Sequence, residues 1–488
     1  MALLVTEAGA QGAFFSIVPR VSLAETFTDN VFLASVGRKS ELTSEISPGI
    51  QITSNGGQIK GSFDYSLRET FYANNSSGRR SQNALNTFGQ IVVVDNKAFV
   101  DFSGTISQQT ISAFGTLSAG NSVINPNLTE SRTFYVSPYL RGRLASFADY
   151  EIRYGLTTSR NQSALAPGVS TNVASIKLNG QTTSARLAWS VDASRQNTGY
   201  DAGRTSEADS LKASLIYTFN PQLNVSVTGG QEANNYATVG KESSFVSGFA
   251  VKWIPSDITQ LSASRLKRSF GESHSVSVDH RTALTALRFS DVKDVSATPS
   301  QIGSVGLGST YDLYFAQFAS IEPDPIRRAA LVSNFLQANG INPSTSVVSS
   351  FLTSAISLQR RQDFSFALLG LRDTVTFFAN RSEGSRLDAI AAVNDDLSNS
   401  ASVRQRGLSV SYAHRLTPEA SLNVLASAQK ASDSLGLQNT TTKSINVSVS
   451  TRLGTRSTGL LSARRVVFES AASPYTENAI TGTLNVQF

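Results

Sequence analysis

Cysteine is absent from the 488 residues, methionine occurs once, and there are three histidines. The missing cysteine removes disulfide frameworks, thiolate metal sites and cysteine nucleophiles together. Three histidines, His274, His280 and His414, argue against a histidine metal cluster, and no metal or cofactor is expected. Charge is scarce as well: 16% of the residues are charged, against roughly 25% in an ordinary soluble domain. Long apolar runs are also missing, and nothing approaches the roughly 18 residues that a membrane helix needs. A chain poor in charge and without a spanning helix can still live in lipid as a closed barrel, where every backbone polar group is paired between strands. Alternating strands average to a bland hydropathy, and the mean hydropathy here is -0.11.

Alternation is what the chain does have, from about residue 15 to the end. In QIKGSFDYSLRETFY, Ile59, Phe63, Tyr65, Leu67 and Phe71 share one face, while Lys60, Ser62, Asp64, Ser66 and Arg68 share the other. The segments TFYVSPYLRGRL and DYEIRYGLT split in the same way. Such segments of about ten residues are the signature of transmembrane strands. Their connections take turns. Short ones carry turn chemistry, as at Asn55-Gly56-Gly57, Asp95-Asn96-Lys97, Asn220-Pro221-Gln222, Pro255-Ser256-Asp257, Thr417-Pro418-Glu419 and Gly454-Thr455-Arg456. Long ones are polar, as in ANNSSGRRSQ and TLSAGNSVINPNLTES.

This pattern predicts an all-β fold, a transmembrane antiparallel β-barrel of about 22 strands with one helical insertion. Short turns and both termini fall at one rim, read as periplasmic; the long loops fall at the other, read as extracellular. Alternation is weakest around residues 273–292, which leaves the count open by one hairpin. Residues 1–14, with an Ala8-Gly9-Ala10 step, read as a leader or signal remnant, and 15–488 as the barrel. With 27 phenylalanines and 13 tyrosines against two tryptophans, an aromatic girdle would be mostly Phe and Tyr. The closing stretch ITGTLNVQF puts Leu484, Val486 and Phe488 on one face and resembles the C-terminal assembly signal of bacterial outer-membrane barrels, which implies the barrel-assembly machinery as a partner.

One segment, residues 293–350, does not alternate. Within it, EPDPIRRAALVSNFLQANGI reads as a helix with Asp324 as N-cap, Pro325 at the first helical position and Gly340 just past the end. Ile326, Ala330, Leu331, Phe335 and Ala338 form its apolar stripe, and YDLYFAQFA before it suggests another short turn of helix. Such an insertion either caps the loops or plugs the lumen.

On the inward parity fall Arg68, Arg141, Arg143, Arg153, Arg186, Arg361, Arg372 and Arg452, with Arg20, Lys60, Lys212, Lys252, Arg288 and Arg415. The acids there are Asp64, Asp101, Glu151, Asp192, Glu232 and Asp363, so a net positive lumen is expected. Guanidinium groups suit carboxylates, sulfates and phosphates, and charged walls in a low-dielectric tube focus potential along its axis. The same residues could equally brace the wall as ion pairs. Outer-loop cations such as Arg79 and Arg80 could contact lipopolysaccharide phosphates. No aromatic-basic nucleic-acid motif appears. Enzyme signatures are missing: His414 lies among serines with no marked nucleophile, Asp279 and His280 point to opposite strand faces, and IGSVGLGST lacks the lysine of a phosphate loop.

The stretches RVSLAETFTDNVFLA, SEISPGI, FYVSPYLRGRLASFADYEIRY, IEPDPIRRAALVSNFLQANGI and SLQRRQDFSFALLGLRDTVTF resemble the outer-membrane β-barrel family associated with PEP-CTERM/exosortase and exopolysaccharide loci. The resemblance implies a Gram-negative outer-membrane location and a setting of extracellular polysaccharide production, and it carries no catalytic motif. Three functions follow as expectations: a channel exporting exopolysaccharide or another anionic solute, a structural anchor for a secretion or surface-matrix complex, and a general diffusion porin.

Overall fold

The computed structural model describes residues 15–74, 78–120, 122–145, 147–163, 167–201, 205–296, 301–302, 310–318, 322, 324–338, 351–353, 355–387 and 395–488. The leader read at 1–14 lies outside them. The first half of the wall is β1 (Phe15–Thr28), β2 (Glu41–Asn55), β3 (Ile59–Tyr72), β4 (Arg79–Val94), β5 (Ala98–Thr110), β6 (Leu128–Leu144), β7 (Ala148–Asn161), β8 (Val169–Gln181), β9 (Leu187–Tyr200), β10 (Ser206–Asn220) and β11 (Leu223–Asn234). It continues with β12 (Glu242–Ser256), β13 (Thr259–Arg268), β14 (Gly271–Arg281) and β15 (Thr285–Ser296). After the insertion come β18 (Ser357–Leu369), β19 (Asp373–Arg386), β20 (Ser402–Arg415), β21 (Ala420–Asp433), β22 (Asn439–Arg452), β23 (Ser457–Ser470) and β24 (Tyr475–Gln487). Two strands of two residues each, β16 (Gln301–Ile302) and β17 (Phe351–Leu352), lie within the insertion.

Each wall strand pairs antiparallel with the next, β15 pairs directly with β18, and β24 pairs with β1, with Leu484 opposite Leu23 and Val486 opposite Val21. The result is a closed antiparallel barrel of 22 wall strands, which leaves no unpaired edge. Short turns gather at one rim, for example residues 56–58, 95–97, 221–222 and 257–258, and the longer connections at the other, where the two-residue turn 269–270 is an exception. Asn96 takes φ 58°, a left-handed conformation that asparagine tolerates.

The hairpin of β14 and β15 falls where alternation was weakest. The reason is chemical: His274, Asp291 and Lys293 stand on the outward parity while Asp279 and Arg288 stand on the inward one, so charge appears on both faces. Strand β15 also runs to Ser296, past the boundary expected at 293.

The two faces of the wall are unlike. Outward positions carry exposed Leu23, Phe134, Val136, Ile152, Leu215, Phe249, Leu408, Ile445 and Ile480, a contiguous apolar surface far beyond what soluble monomers show. Tyr217, Phe219 and Trp253 lie outward near the short-turn rim, where an aromatic girdle belongs. Inward positions are polar, and hydroxyls pair across neighbouring strands, as Ser214 with Thr228, Ser262 with Ser277 and Ser427 with Ser444, each at 2.7 Å.

Helices α1 (Thr310–Gln317) and α2 (Pro325–Ala338) lie inside the barrel. Tyr314, Phe318, Val332 and Leu336 pack together against Ala413 of β20, and the Tyr314 hydroxyl is 3.4 Å from Thr376 of β19. On the other side, Phe315 meets Phe88 of β4 edge to face at 6.4 Å. Strands β4 and β19 stand nine steps apart around the 22-strand ring, so α1 crosses the lumen. Among the described residues of the insertion, these two helices thus stand within the lumen. Loops also fold into the mouth: Leu33, Leu117 and Val123 pack on Val466, Phe468 and Tyr475, and Ala113, Phe351 and Leu397 on Val403 and Ala431.

Candidate functional site

The lumen is the candidate site, and its face is identified by the side chains that touch the helices. Alternation from those positions places the basic residues of the wall, and the structure divides them into two sets.

The first set is braced. Arg68 Nε donates to Glu45 at 2.8 Å. Arg153 donates to Asp101 at 2.7 Å, to Glu151 at 3.0 Å and to Ser137 at 3.2 Å, and its guanidinium lies 3.9 Å over the Tyr139 ring. Gln90 extends that network to Asp101 at 3.0 Å and to the Tyr139 hydroxyl at 2.7 Å. Arg361 holds Asp363 at 2.6 Å, and Arg20 holds Asp64 through a bond of 3.0 Å. Two further pairs were not anticipated: Arg268 with Glu232 at 2.9 Å, and Arg464 with the fully buried Glu477 at 2.8 Å. Arg268 is the last residue of β13 and Arg464 lies beside a second arginine, so neither has a sequence signal apart from strict parity counting. Charge-assisted pairs of this kind hold neighbouring strands in register and neutralise their own field.

The second set is solvated and sits at the short-turn end. Arg141 stacks on Phe99 at 4.2 Å, and Arg143 comes no nearer than 3.8 Å to Asp149, with both side chains largely exposed. Arg186 lies in the turn after β8, Arg372 in the turn before β19, and Arg452 at the end of β22; all three are exposed. Lys60, Lys177 and Lys252 are exposed inward cations at the same end, and Lys177 was not among the expected residues. Arg153 stands beside Arg141 and Arg143 on the same parity but is neutralised by two acids, so it belongs with the braced set.

Other expected residues are placed as follows. Asp324 caps α2: its Oδ1 accepts from Arg327 N at 3.1 Å and its carbonyl from Arg328 N at 2.9 Å, with Pro325 opening the helix. Phe335 falls within α2 with its side chain outside the described residues, and Gly340 lies outside them altogether. Leu484 and Phe488 are exposed, and Phe488 N donates to Pro19 O at 2.9 Å. Arg79 is engaged by Glu69 at 2.6 Å, and Arg80 donates to Val123 O at 3.0 Å. The histidines are dispersed, each on its own partner: His274 on Asp291, His280 on Thr259 and His414 on Asp373. Among the described residues no group of three or more His, Cys, Asp or Glu could hold a metal ion.

No protein-family model and no curated protein matches the chain. Solved structures do match. The FrpB iron transporter of Neisseria meningitidis, F5-1 variant in its apoprotein form, is 10% identical with 96% of this chain and 81% of that chain covered, at a TM-score of 0.50. Its F3-3 variant gives the same figures. A mutant of the ferric enterobactin receptor PfeA of Pseudomonas aeruginosa is 9% identical, with 97% and 80% covered, at 0.49. At these identities the FrpB matches speak to fold, and the chain is by fold a closed, 22-stranded outer-membrane type of β-barrel.

Proposed function

We propose that this chain is a bacterial outer-membrane transport barrel for an anionic solute, in the first instance an exopolysaccharide, with the helical hairpin as its gate. The observation that carries the reading is the division of the lumen cations. Mid-wall arginines are tied to acids, while Arg141, Arg143, Arg186, Arg372 and Arg452 stay solvated at one end. A ring of weakly held guanidinium groups attracts carboxylates, sulfates or phosphates without trapping them, and balanced binding of that kind is what passage requires. The resemblance to barrels of PEP-CTERM/exosortase loci supports polysaccharide as the polymer. Long loops would then face outside and the short turns the periplasm, with lipopolysaccharide and the barrel-assembly machinery as partners.

A second reading, a structural anchor for a secretion or surface-matrix complex, is favoured by the hairpin itself, because α1 crosses the lumen. The same crossing counts against a general diffusion porin. Planar-bilayer recordings separate these readings. A transport barrel gives an anion-selective conductance in the intact protein or after removal of residues 310–338, whereas silence in both overturns transport in favour of the anchor.

A further inference from the structure

The outward face of the wall carries charge near the long-loop rim, and over most of the circumference that charge is self-neutralised. Arg79 is paired with Glu69 at 2.6 Å, Arg132 with Glu130 at 2.7 Å, and Lys443 with Glu469 at 2.8 Å. A row of cations without such pairing spans β19, β20 and β21. Arg381 lies directly opposite Arg406, and Arg406 directly opposite Lys430, so three cations on three adjacent strands stand in one row. Residues directly opposite have Cβ atoms about 5 Å apart, and like charges so placed destabilise a sheet. All three side chains are exposed, and among the described residues the side chain of neither Arg406 nor Lys430 forms an ion pair or hydrogen bond. Arg381 approaches Glu383 only at 3.8 Å, and that carboxylate is engaged at 3.1 Å by Arg404. Arg360, on the next strand, is already held by Asp291 at 2.7 Å.

The position of the row says what would neutralise it. Two residues nearer the short-turn rim on the same outward parity stand Ala379, Leu408 and Ala428, followed by Phe377, Val410 and Ala426. Two residues along a strand is roughly 7 Å. The cations therefore sit at the upper margin of the apolar band, the level of headgroups if that band lies in lipid. An anion carrying acyl chains could place phosphate on the row and its chains against the wall below, which a small soluble anion cannot do.

We propose that Arg381, Arg406 and Lys430, with Arg404 beside them, form a lipid site on the outer wall that takes the phosphate-bearing headgroup of an anionic lipid. Arginine supplies paired donors to phosphate oxygens and lysine a third cation, and the bound phosphates remove the like-charge repulsion along the row. The inference rests on the membrane placement given above.

The test uses the whole protein in non-ionic detergent, with retained lipid counted by native mass spectrometry against bis-phosphorylated lipid A or phosphatidylcholine. The expected result is retention of lipid A over phosphatidylcholine, and at least a tenfold loss of that retention in R381Q/R406Q/K430Q. The control R79Q/R132Q/K443Q removes the same charge from self-neutralised positions and should retain lipid A. Undiminished retention by the first variant, or equal loss by the control, overturns the site. So does competition by inorganic pyrophosphate as effective as by lipid A, since the acyl chains would then contribute nothing. Heat-modifiable migration checks closure; if the triple variant does not close, Arg406→Gln alone is expected to lower retention at least threefold, and no change in it overturns the site. Absence of the wild type from the outer-membrane fraction would count against the membrane placement instead, and the detergent measurement reads the site independently of it.

Discussion

Leu215 and Ser214 are neighbours in β10 with opposite surroundings: the leucine is exposed on the apolar outer face, and the serine is hydrogen-bonded to Thr228 at 2.7 Å on the lumen side. Arginine at position 215 should cost about 2–4 kcal/mol near the bilayer midplane, and arginine at 214 much less. Urea titrations of the refolded barrel in lipid vesicles measure both, and equal losses would show the faces to be wrongly assigned. Ser137 is inward as well but would not serve as such a control, because it is fully buried and bonded to Arg153. A second residue-scale effect concerns Asp396, which opens a single helical turn, Asp396–Asn399, in the connection between β19 and β20. Its carboxylate accepts from Ser112 Oγ at 2.7 Å and Ala113 N at 2.6 Å, yet burial pushes it up to about 6. Released from the loop contact it would titrate near 3.9. The docked state therefore holds the extra proton between those values. Docking is fully stabilised below about pH 4 and weakens, by a few kcal/mol, as pH rises through about 6. Hydrogen exchange over residues 111–127, corrected for intrinsic rates, should show protection falling between pH 4 and 7 in the wild type and flat in Asp396→Asn. A wild-type profile without that fall would refute the assignment.

At the scale of elements, the helical hairpin is an insertion that the wall does not need. β15 pairs directly with β18 from Thr285–Leu368 to Ser296–Ser357, so no barrel hydrogen bond runs through α1 or α2. What holds the hairpin is side-chain contact, with Tyr314 and Phe318 against β19 and β20, Phe315 against Phe88, and Arg328 stacked 4.8 Å over Phe315. Removing residues 310–338 and joining the ends with a short Gly/Ser linker should leave heat-modifiable closure intact and raise single-channel conductance several-fold. Loss of closure would mean that the hairpin is part of the fold, not a plug in it. A milder change, Asp324→Ala, removes the N-cap of α2 and should cost that helix about 1 kcal/mol. It should raise the open fraction in the same recordings without changing the conductance of the open state.

For the whole molecule, the relevant quantity is the field along the axis, and that depends on which cations are neutralised. Charge reversal of Arg141, Arg186 and Arg452 to glutamate should move the reversal potential under a salt gradient toward cation selectivity, while lysine at the same positions should preserve the wild-type value. Reversal of Arg68, Arg153 and Arg361 should act differently. Each would leave a carboxylate facing a carboxylate inside the wall, so loss of assembly should precede any change of selectivity. If the two triple variants behaved alike in bilayers, the division of the lumen into braced and solvated cations would have no functional meaning.

The sequence by itself determined the barrel. Period-two alternation in Ile59–Phe71 and its repeats, the turn residues at Asp95-Asn96-Lys97, and the caps of α2 are local properties, and each is set by neighbours within a few residues. Alternation also assigned faces, which is why the inward parity of Arg68, Arg141 and Arg153 could be read from the chain. It failed locally at β14 and β15, where charge sits on both faces. Apart from the Arg153–Glu151 pair, two residues apart on one strand face, tertiary structure decided what those charges meet. Arg68 is bound to a carboxylate 23 residues away and Arg153 to one 52 residues away, whereas Arg141 finds an aromatic ring, and periodicity carries no information about such partners. The same holds for the hairpin, whose apolar stripe could rest on loops or wall equally well. Its place in the lumen follows from contacts with β4 and β19, strands that lie far apart in the chain and come within reach of one helix only after the barrel has closed.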